Sequence, residues 1–113
     1  MAAPFFFIKK ADSGLRLCID YYALNEVTVK NWYPIPRISD LIDALSKVSI
    51  FTKINLQWGY NNVWIWEGDE KKMAFCTQLG LYYVNIMYFS FANIPATFQS
   101  IINYIFKDLI LKG

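Results

Sequence analysis

The segment from residue 48 to residue 60, VSIFTKINLQWGY, constrains the fold of this chain more than any other stretch. Side chains alternate between the two faces of a β-strand, and this segment follows that pattern. Its apolar face is formed by Val48, Ile50, Ile54 and Leu56. We therefore predict a strand over residues 48–56, with Asn55 on the opposite, mostly polar face. Gly59 permits a sharp turn after it, which would bring Tyr60 back near Asn55.

Length and composition allow a single domain with a core of its own. The chain has 113 residues, of which 56% are hydrophobic and 19% aromatic. Its formal net charge of +2 is too small to indicate nucleic-acid binding from charge alone. Cys18 and Cys76 lie far apart without CxxC spacing, and the sequence contains no histidine. These features argue against a zinc site and favour reduced cysteines in an intracellular protein, cytoplasmic or nuclear.

The stretch from residue 73 to residue 106 contains no charged residue, so a membrane span must be weighed. Polar residues such as Gln78, Asn85 and Gln99 are spread through it, and Gly80 and Pro95 divide it. We predict strands over 73–78 and 81–87 followed by an amphipathic helix, and no membrane span. The first ten residues, MAAPFFFIKK, place the apolar run before the basic pair, the reverse of a secretory signal.

The remaining elements follow from turn and helix signals. Residues 4–10 and 15–22 alternate around Asp12-Ser13-Gly14, which predicts a β-hairpin. It is either an ordinary edge hairpin with solvated lysines or a surface whose lysines and arginine face a phosphate group. Ser39 is the predicted N-cap of a short amphipathic helix packed under the 48–56 strand. A strand over 63–66 comes next, and Asn93 is the predicted cap of the last helix.

That last helix has a predicted buried stripe at the helical spacing of three and four residues. Its members are Phe98, Ile101, Ile102, Ile105 and Leu109.

Several blocks of the chain, in order, resemble the reverse transcriptases of gypsy-type long-terminal-repeat retrotransposons. KKADSGLRLCIDYYALN is similar to the family's K-K-x-D-G-x-x-R-x-C-x-D-Y-R-x-L-N, and NWYPIPRISDL to N-R-Y-P-L-P-R-I-x-D-L. FTKINLQWGY resembles F-[ST]-K-I-D-L-x-x-G-Y, and AFCTQLGLYYVNIM resembles A-F-x-T-x-x-G-x-Y-x-x-x-x-M. NIPATFQSIINYIFKDL matches N-A-P-A-T-F-Q-x-x-[MI]-N-x-[IV]-[FL]-x-[DE]-L. The resemblance covers about residues 4–109.

The resemblance implies a fold and a chemistry. The fold is α+β, an antiparallel palm sheet packed on two helices plus an N-terminal β-hairpin. Residues 1–37 would be the fingers hairpin and its connection, and residues 38–113 a partial palm. The chemistry is DNA synthesis on an RNA template by two-metal phosphoryl transfer, with Mg²⁺ as the implied metal. The implied partners are an RNA/DNA template–primer and deoxynucleotide triphosphates. The implied nucleotide-binding residues are Lys9, Lys10, Arg16, Tyr60 and Phe89.

Asn55 stands where the family has a metal-binding aspartate, and the family's Y-x-D-D segment does not occur in the sequence. An asparagine offers a neutral carbonyl, whereas Mg²⁺ prefers carboxylates. We therefore predict no metal site, and no polymerase activity for this chain alone. Two alternatives remain open: residual binding of nucleotide or nucleic acid, and self-association through an open sheet face. That face would include Trp64, Trp66 and residues 79–91.

Overall fold

A computed structural model of the chain describes residues 1–112. Two β-hairpins and four helices follow one another along the chain, with 3₁₀ turns at Tyr60–Asn62 and Glu70–Met73. The elements are β1 (Phe5–Lys9), β2 (Leu15–Ile19), α1 (Tyr22–Val27), α2 (Ile38–Leu45), β3 (Ala74–Thr77), β4 (Gly80–Tyr83), α3 (Ile94–Ile105) and α4 (Lys107–Lys112). The predicted α+β class is confirmed, but the antiparallel strands form two separate two-stranded sheets. Gly113, the last residue of the predicted palm, lies outside the described residues.

The N-terminal hairpin forms as predicted. β1 and β2 pair antiparallel, with Phe5 opposite Ile19 at one end and Lys9 opposite Leu15 at the other. The turn between them closes through the Lys10 amide, which donates to the Gly14 carbonyl at 2.7 Å. The Asp12 carboxylate accepts a hydrogen bond from the Gly14 amide at 3.0 Å, the local contact that makes aspartate a good turn residue.

The second hairpin joins the first through the N-terminus. The backbone of Ala3 bonds to Ala74 at 2.8 Å and to Cys76 at 3.0 Å. The strand predicted over 63–66 is reduced to a short antiparallel bridge, in which the Ile65 amide donates to Asn85 at 2.8 Å and the Met87 amide donates to Val63 at 2.7 Å. This bridge holds the 63–66 segment beside the second hairpin.

A small core lies where β2 meets the start of α3. Its central cluster is Ile19, Tyr21, Phe91 and Ile94. The Tyr21 ring packs 4.4 Å from that of Phe91, and its hydroxyl donates to the Met73 carbonyl at 2.8 Å. Burial, with a smaller contribution from Tyr88, raises the pKa of Tyr21 to about 12. Tyr21 is therefore a neutral hydrogen-bond donor in the core at physiological pH.

Asparagine side chains connect the segment after β2 to the loop before α3. Asn25 donates to the Ser90 carbonyl at 2.8 Å and accepts from the Ala92 amide at 2.9 Å. Asn93 occupies the N-cap position of α3 but makes no capping hydrogen bond. Its amide instead donates to the Val29 carbonyl at 2.8 Å, and its oxygen accepts from the Asn31 amide. The predicted capping hydrogen bond of Asn93 is therefore absent, because its side chain bonds to residues 29 and 31 instead.

The predicted strand over residues 48–56 does not form. The segment is exposed throughout and takes no regular structure, and no strand among residues 1–112 pairs with it. A strand is defined by hydrogen bonds to a neighbour, so alternation of apolar residues alone does not produce one. The predicted packing of α2 under this strand is absent for the same reason. The exposed apolar residues of α2 are Ile38, Leu41, Ile42 and Leu45.

Two helix boundaries also differ from the sequence prediction. α2 begins at Ile38 with Arg37 at the cap position, so Ser39 lies inside the helix and does not cap it. α3 ends at Ile105, and the chain turns at Phe106 before α4. Ile105 and Leu109 are consequently exposed, and only the first part of the predicted stripe faces other residues. None of the helices in the described part of the chain has the length and apolarity needed to cross a membrane.

The chain exposes far more surface than a compact protein of its mass. Its accessible surface is 9616 Å², against about 6,400 Å² expected for a folded monomer of this size. The radius of gyration is 17.4 Å, whereas a compact domain of this length would have about 13 Å. Much of the excess is apolar, including the α2 residues and the tryptophans Trp64 and Trp66.

Candidate functional site

A cleft of about 560 Å³ opens between the N-terminal hairpin and the turn that contains Tyr60. We call it the hairpin cleft. Its polar and aromatic walls come from three segments of the chain: the first hairpin, residues 58–61 and residues 88–89. The lining includes two cations and four aromatic side chains, and no carboxylate is among the lining residues. These six side chains are Lys10, Arg16, Trp58, Tyr60, Tyr88 and Phe89.

Arg16 projects from β2 toward an aromatic side chain. Its guanidinium carbon lies 6.0 Å from the centre of the Phe89 ring, at the outer limit of a cation–π contact. Phe89 in turn packs 4.5 Å from the ring of Tyr88. Arg16 and Lys10 are both exposed, so their charges are available to an anion that enters the cleft.

The loop that carries Phe89 is fastened to β2 by its neighbours. The Tyr88 hydroxyl donates to the Leu17 carbonyl, and the Ser90 hydroxyl donates to the Ile19 carbonyl at 2.8 Å. Burial raises the pKa of Tyr88, with a further upward contribution from the Cys18 thiol and a downward one from Arg16. Tyr88 and Ser90 therefore both hold the loop in place.

Tyr60 is positioned by a close contact between its turn and α3. Its ring meets Phe98 edge to face, with centroids 5.0 Å apart. A Cβ atom at Gly59 would approach the Phe98 ring to 3.1 Å, so a side chain there would require that ring to shift by a few tenths of an ångström. Tyr60 lines the hairpin cleft in this position.

The residues that the sequence analysis selected are partly brought together. Lys10, Arg16, Tyr60 and Phe89 all line the hairpin cleft. Lys9 lines an adjoining cavity of about 520 Å³, which shares the other two cations and also contains Asp12. Lys9 therefore belongs to the neighbouring surface and not to the hairpin cleft itself.

Asn55 lies outside both cavities, on the exposed and unpaired segment that was predicted to be a strand. Within residues 1–112, no three His, Cys, Asp or Glu side chains lie close enough together to hold a metal ion. A neutral amide without a set of carboxylates does not suit Mg²⁺, which is bound through charged oxygen ligands. The described residues therefore do not fit a two-metal centre.

Sequence reasoning missed Trp58 and Tyr88 as parts of the cleft. Trp58 was included only in the 48–60 segment, and its backbone adopts a positive φ of 54° that a sequence does not reveal. Tyr88 was included only in the 79–91 segment of the predicted open sheet face, and no motif position singled it out.

Comparisons with known proteins agree on one family. The model for "Reverse transcriptase (RNA-dependent DNA polymerase)" matches residues 8–112. The chain is 44% identical, over 97 residues, to the RNA-directed DNA polymerase homolog of Oenothera berteroana. That match covers 86% of this chain and 68% of the homolog. The chain is 36% identical, over 107 residues, to the Transposon Tf2-3 polyprotein of Schizosaccharomyces pombe. That match covers 95% of this chain but only 8% of the polyprotein.

A solved structure shares the fold. It is the foamy viral protease-reverse transcriptase in complex with an RNA/DNA hybrid, with a TM-score of 0.75 and 19% identity. The match covers 96% of this chain and 14% of the viral one. The predicted fingers–palm fold is confirmed by this likeness, and the division at residue 37 stays a prediction.

Proposed function

This chain belongs to the reverse transcriptase (RNA-dependent DNA polymerase) family, and we propose that its hairpin cleft binds the phosphates of a nucleotide. The observation that carries the proposal is the lining of the cleft, with two cations, four aromatic side chains and no carboxylate. We assign the chain to the gypsy-type subfamily on the motif blocks it contains. The ligands proposed are deoxynucleotide triphosphates and, through the same cations, the backbone of an RNA/DNA template–primer.

The two cations suit phosphate in different ways. Lys10 supplies a compact point charge on a flexible stem, and Arg16 supplies a planar fork that can engage two oxygens at once. The guanidinium carbon of Arg16 also lies 6.0 Å from the centre of the Phe89 ring, at the outer limit of a cation–π contact. Both side chains are exposed, so water and salt screen them, and the proposed affinity is weak.

Salt dependence tests this proposal directly. We expect dATP to bind at low ionic strength and to lose on the order of tenfold in affinity at physiological ionic strength, because the Debye length shortens from roughly 30 Å to 8 Å. Equilibrium dialysis with labelled dATP at several salt concentrations measures this. Affinity that does not change with salt, or no binding even at low salt, would contradict an electrostatic phosphate site.

We further propose that this chain alone does not carry out the RNA-directed DNA synthesis of its family, and that Mg²⁺ is not held at Asn55. The support is chemical, since the amide of Asn55 is neutral and Asn55 is exposed and does not line the cleft. We also propose an intracellular location, supported by the free cysteines Cys18 and Cys76.

A second candidate function is self-association with another copy of this chain. It is favoured by the exposed apolar surface, which includes the α2 stripe and Trp64 and Trp66, at 73% and 82% exposure. Exposed apolar surface of this extent is typical of a protein–protein contact site. The excess surface exceeds the roughly 800 Å² per partner that a standard interface buries.

Light scattering tests the self-association. We expect the parent to have at least twice the 13.2 kDa mass of one chain, and the variant Leu41→Lys/Leu45→Lys to shift toward a single chain. Val27→Lys, which places a lysine at an exposed position of α1, is the control and should behave as the parent does. A monomeric parent would contradict this proposal and would leave the phosphate site unaffected.

A further inference from the structure

Trp58 occupies an unusual backbone conformation at the edge of the hairpin cleft. Its φ is +54°, in the left-handed region that bulky side chains rarely adopt. Such a residue is destabilising unless the surrounding structure holds it there. Trp58 is also 76% exposed, so the strain does not serve to bury its indole ring.

The surrounding turn holds this conformation in place. The Asn62 amide donates to the Trp58 carbonyl at 3.1 Å, and the Asn62 side chain donates to the Gln57 carbonyl at 3.2 Å. The turn is fixed against α3 by Gly59 and by Tyr60, both of which contact Phe98. These contacts determine the backbone of Trp58 without using its side chain.

The exposed side chain of Trp58 has no packing role that would explain a tryptophan at this position. The indole ring makes no ring-to-ring contact with the other aromatic residues of the described chain, and it is not part of the core cluster. It lines the hairpin cleft together with Lys10 and Arg16. A flat, exposed aromatic face beside a cationic pair is the arrangement by which proteins stack a nucleobase while holding its phosphates.

We propose that Trp58 is the stacking surface for the base of a nucleotide whose phosphates contact Lys10 and Arg16. This inference rests on the proposed phosphate site and adds the part of the ligand that the cations cannot recognise. Because every base has a π-face, the contact should accept all four bases, with purines favoured by their larger area. Trp58 is thus assigned a binding role that depends on the base and not on the phosphate.

The test compares a nucleotide with its phosphate part alone. dATP and inorganic tripolyphosphate are titrated into the parent and into Trp58→Gly, since glycine adopts a positive φ without strain. Trp32→Gly is the matched control, because Trp32 is 87% exposed and does not line the cleft. We expect Trp58→Gly to lose about tenfold in affinity for dATP, with unchanged affinity for tripolyphosphate and a melting temperature no lower than that of the parent.

Each other outcome overturns the inference in a distinct way. If Trp58→Gly keeps its affinity for dATP, the base does not stack on Trp58 and the phosphate site stands. If Trp58→Gly loses affinity for dATP and for tripolyphosphate equally, Trp58 shapes the cleft and does not recognise the base. If the parent binds neither probe, the proposed phosphate site itself is refuted, and the inference with it.

Discussion

Primer extension by this chain is expected to yield no template-dependent product with Mg²⁺ or Mn²⁺, and Asn55→Asp is expected to yield none either. Loss of one carboxylate from a shared two-metal site removes a full negative charge from both ions, which corresponds to a rate loss on the order of 10³-fold or more. Restoring that carboxylate supplies one ligand only. The described residues contain no group of three side chains that could complete the set.

The assay needs a fold check and a positive control. Circular dichroism of the parent and of Asn55→Asp should coincide, because residue 55 is exposed and lies outside the core. An active reverse transcriptase on the same template–primer gives the positive control. Product from the parent would contradict the proposed inactivity. Product from Asn55→Asp alone would show that the missing ligands are supplied by residues that the structure does not bring together.

Removing both cations of the hairpin cleft is expected to lower the affinity for dATP by on the order of 10²-fold. A hydrogen bond to a charged group contributes roughly 1.5–3 kcal/mol, and solvent screening at exposed side chains reduces that contribution. The double variant Lys10→Gln/Arg16→Gln tests this. Equilibrium binding of dATP at low ionic strength is the measurement.

The chain provides a charge-matched control for this variant. Arg37 and Arg16 are the only arginines, and Arg37 is exposed and does not line the hairpin cleft. Arg37→Gln/Lys71→Gln removes the same two charges from positions outside the cleft. It should bind dATP as the parent does. Equal losses in the two double variants would mean that net charge, and not the cleft, attracts the nucleotide.

Elements stabilised by local signals were predictable from the sequence. The turn signal at residues 12–14 predicted the first hairpin, and the amphipathic pattern after residue 37 predicted α2. The segment over 48–56 was mispredicted because a strand depends on hydrogen bonds to a partner distant in sequence. The alternation of apolar residues in this segment indicates which face of a strand would be buried, but it does not indicate whether a neighbouring strand is present.

The candidate site was predictable only in part and mainly through the family resemblance. Lys10, Arg16, Tyr60 and Phe89 were selected from motif positions, and the structure places all four around one cleft. Residues outside a motif gave no such signal. The positive φ of Trp58 occurs in a turn that lies against Phe98 of α3, a residue far along the chain.

The central claim is that the hairpin cleft binds phosphate through Lys10 and Arg16. Calorimetric titration of inorganic tripolyphosphate at low ionic strength tests it most directly, because this probe has no base or sugar. We expect the parent and the charge-matched control to bind with equal affinity, and Lys10→Gln/Arg16→Gln to show no measurable binding. Equal binding by Lys10→Gln/Arg16→Gln and the parent, or no binding by the parent, would contradict the claim.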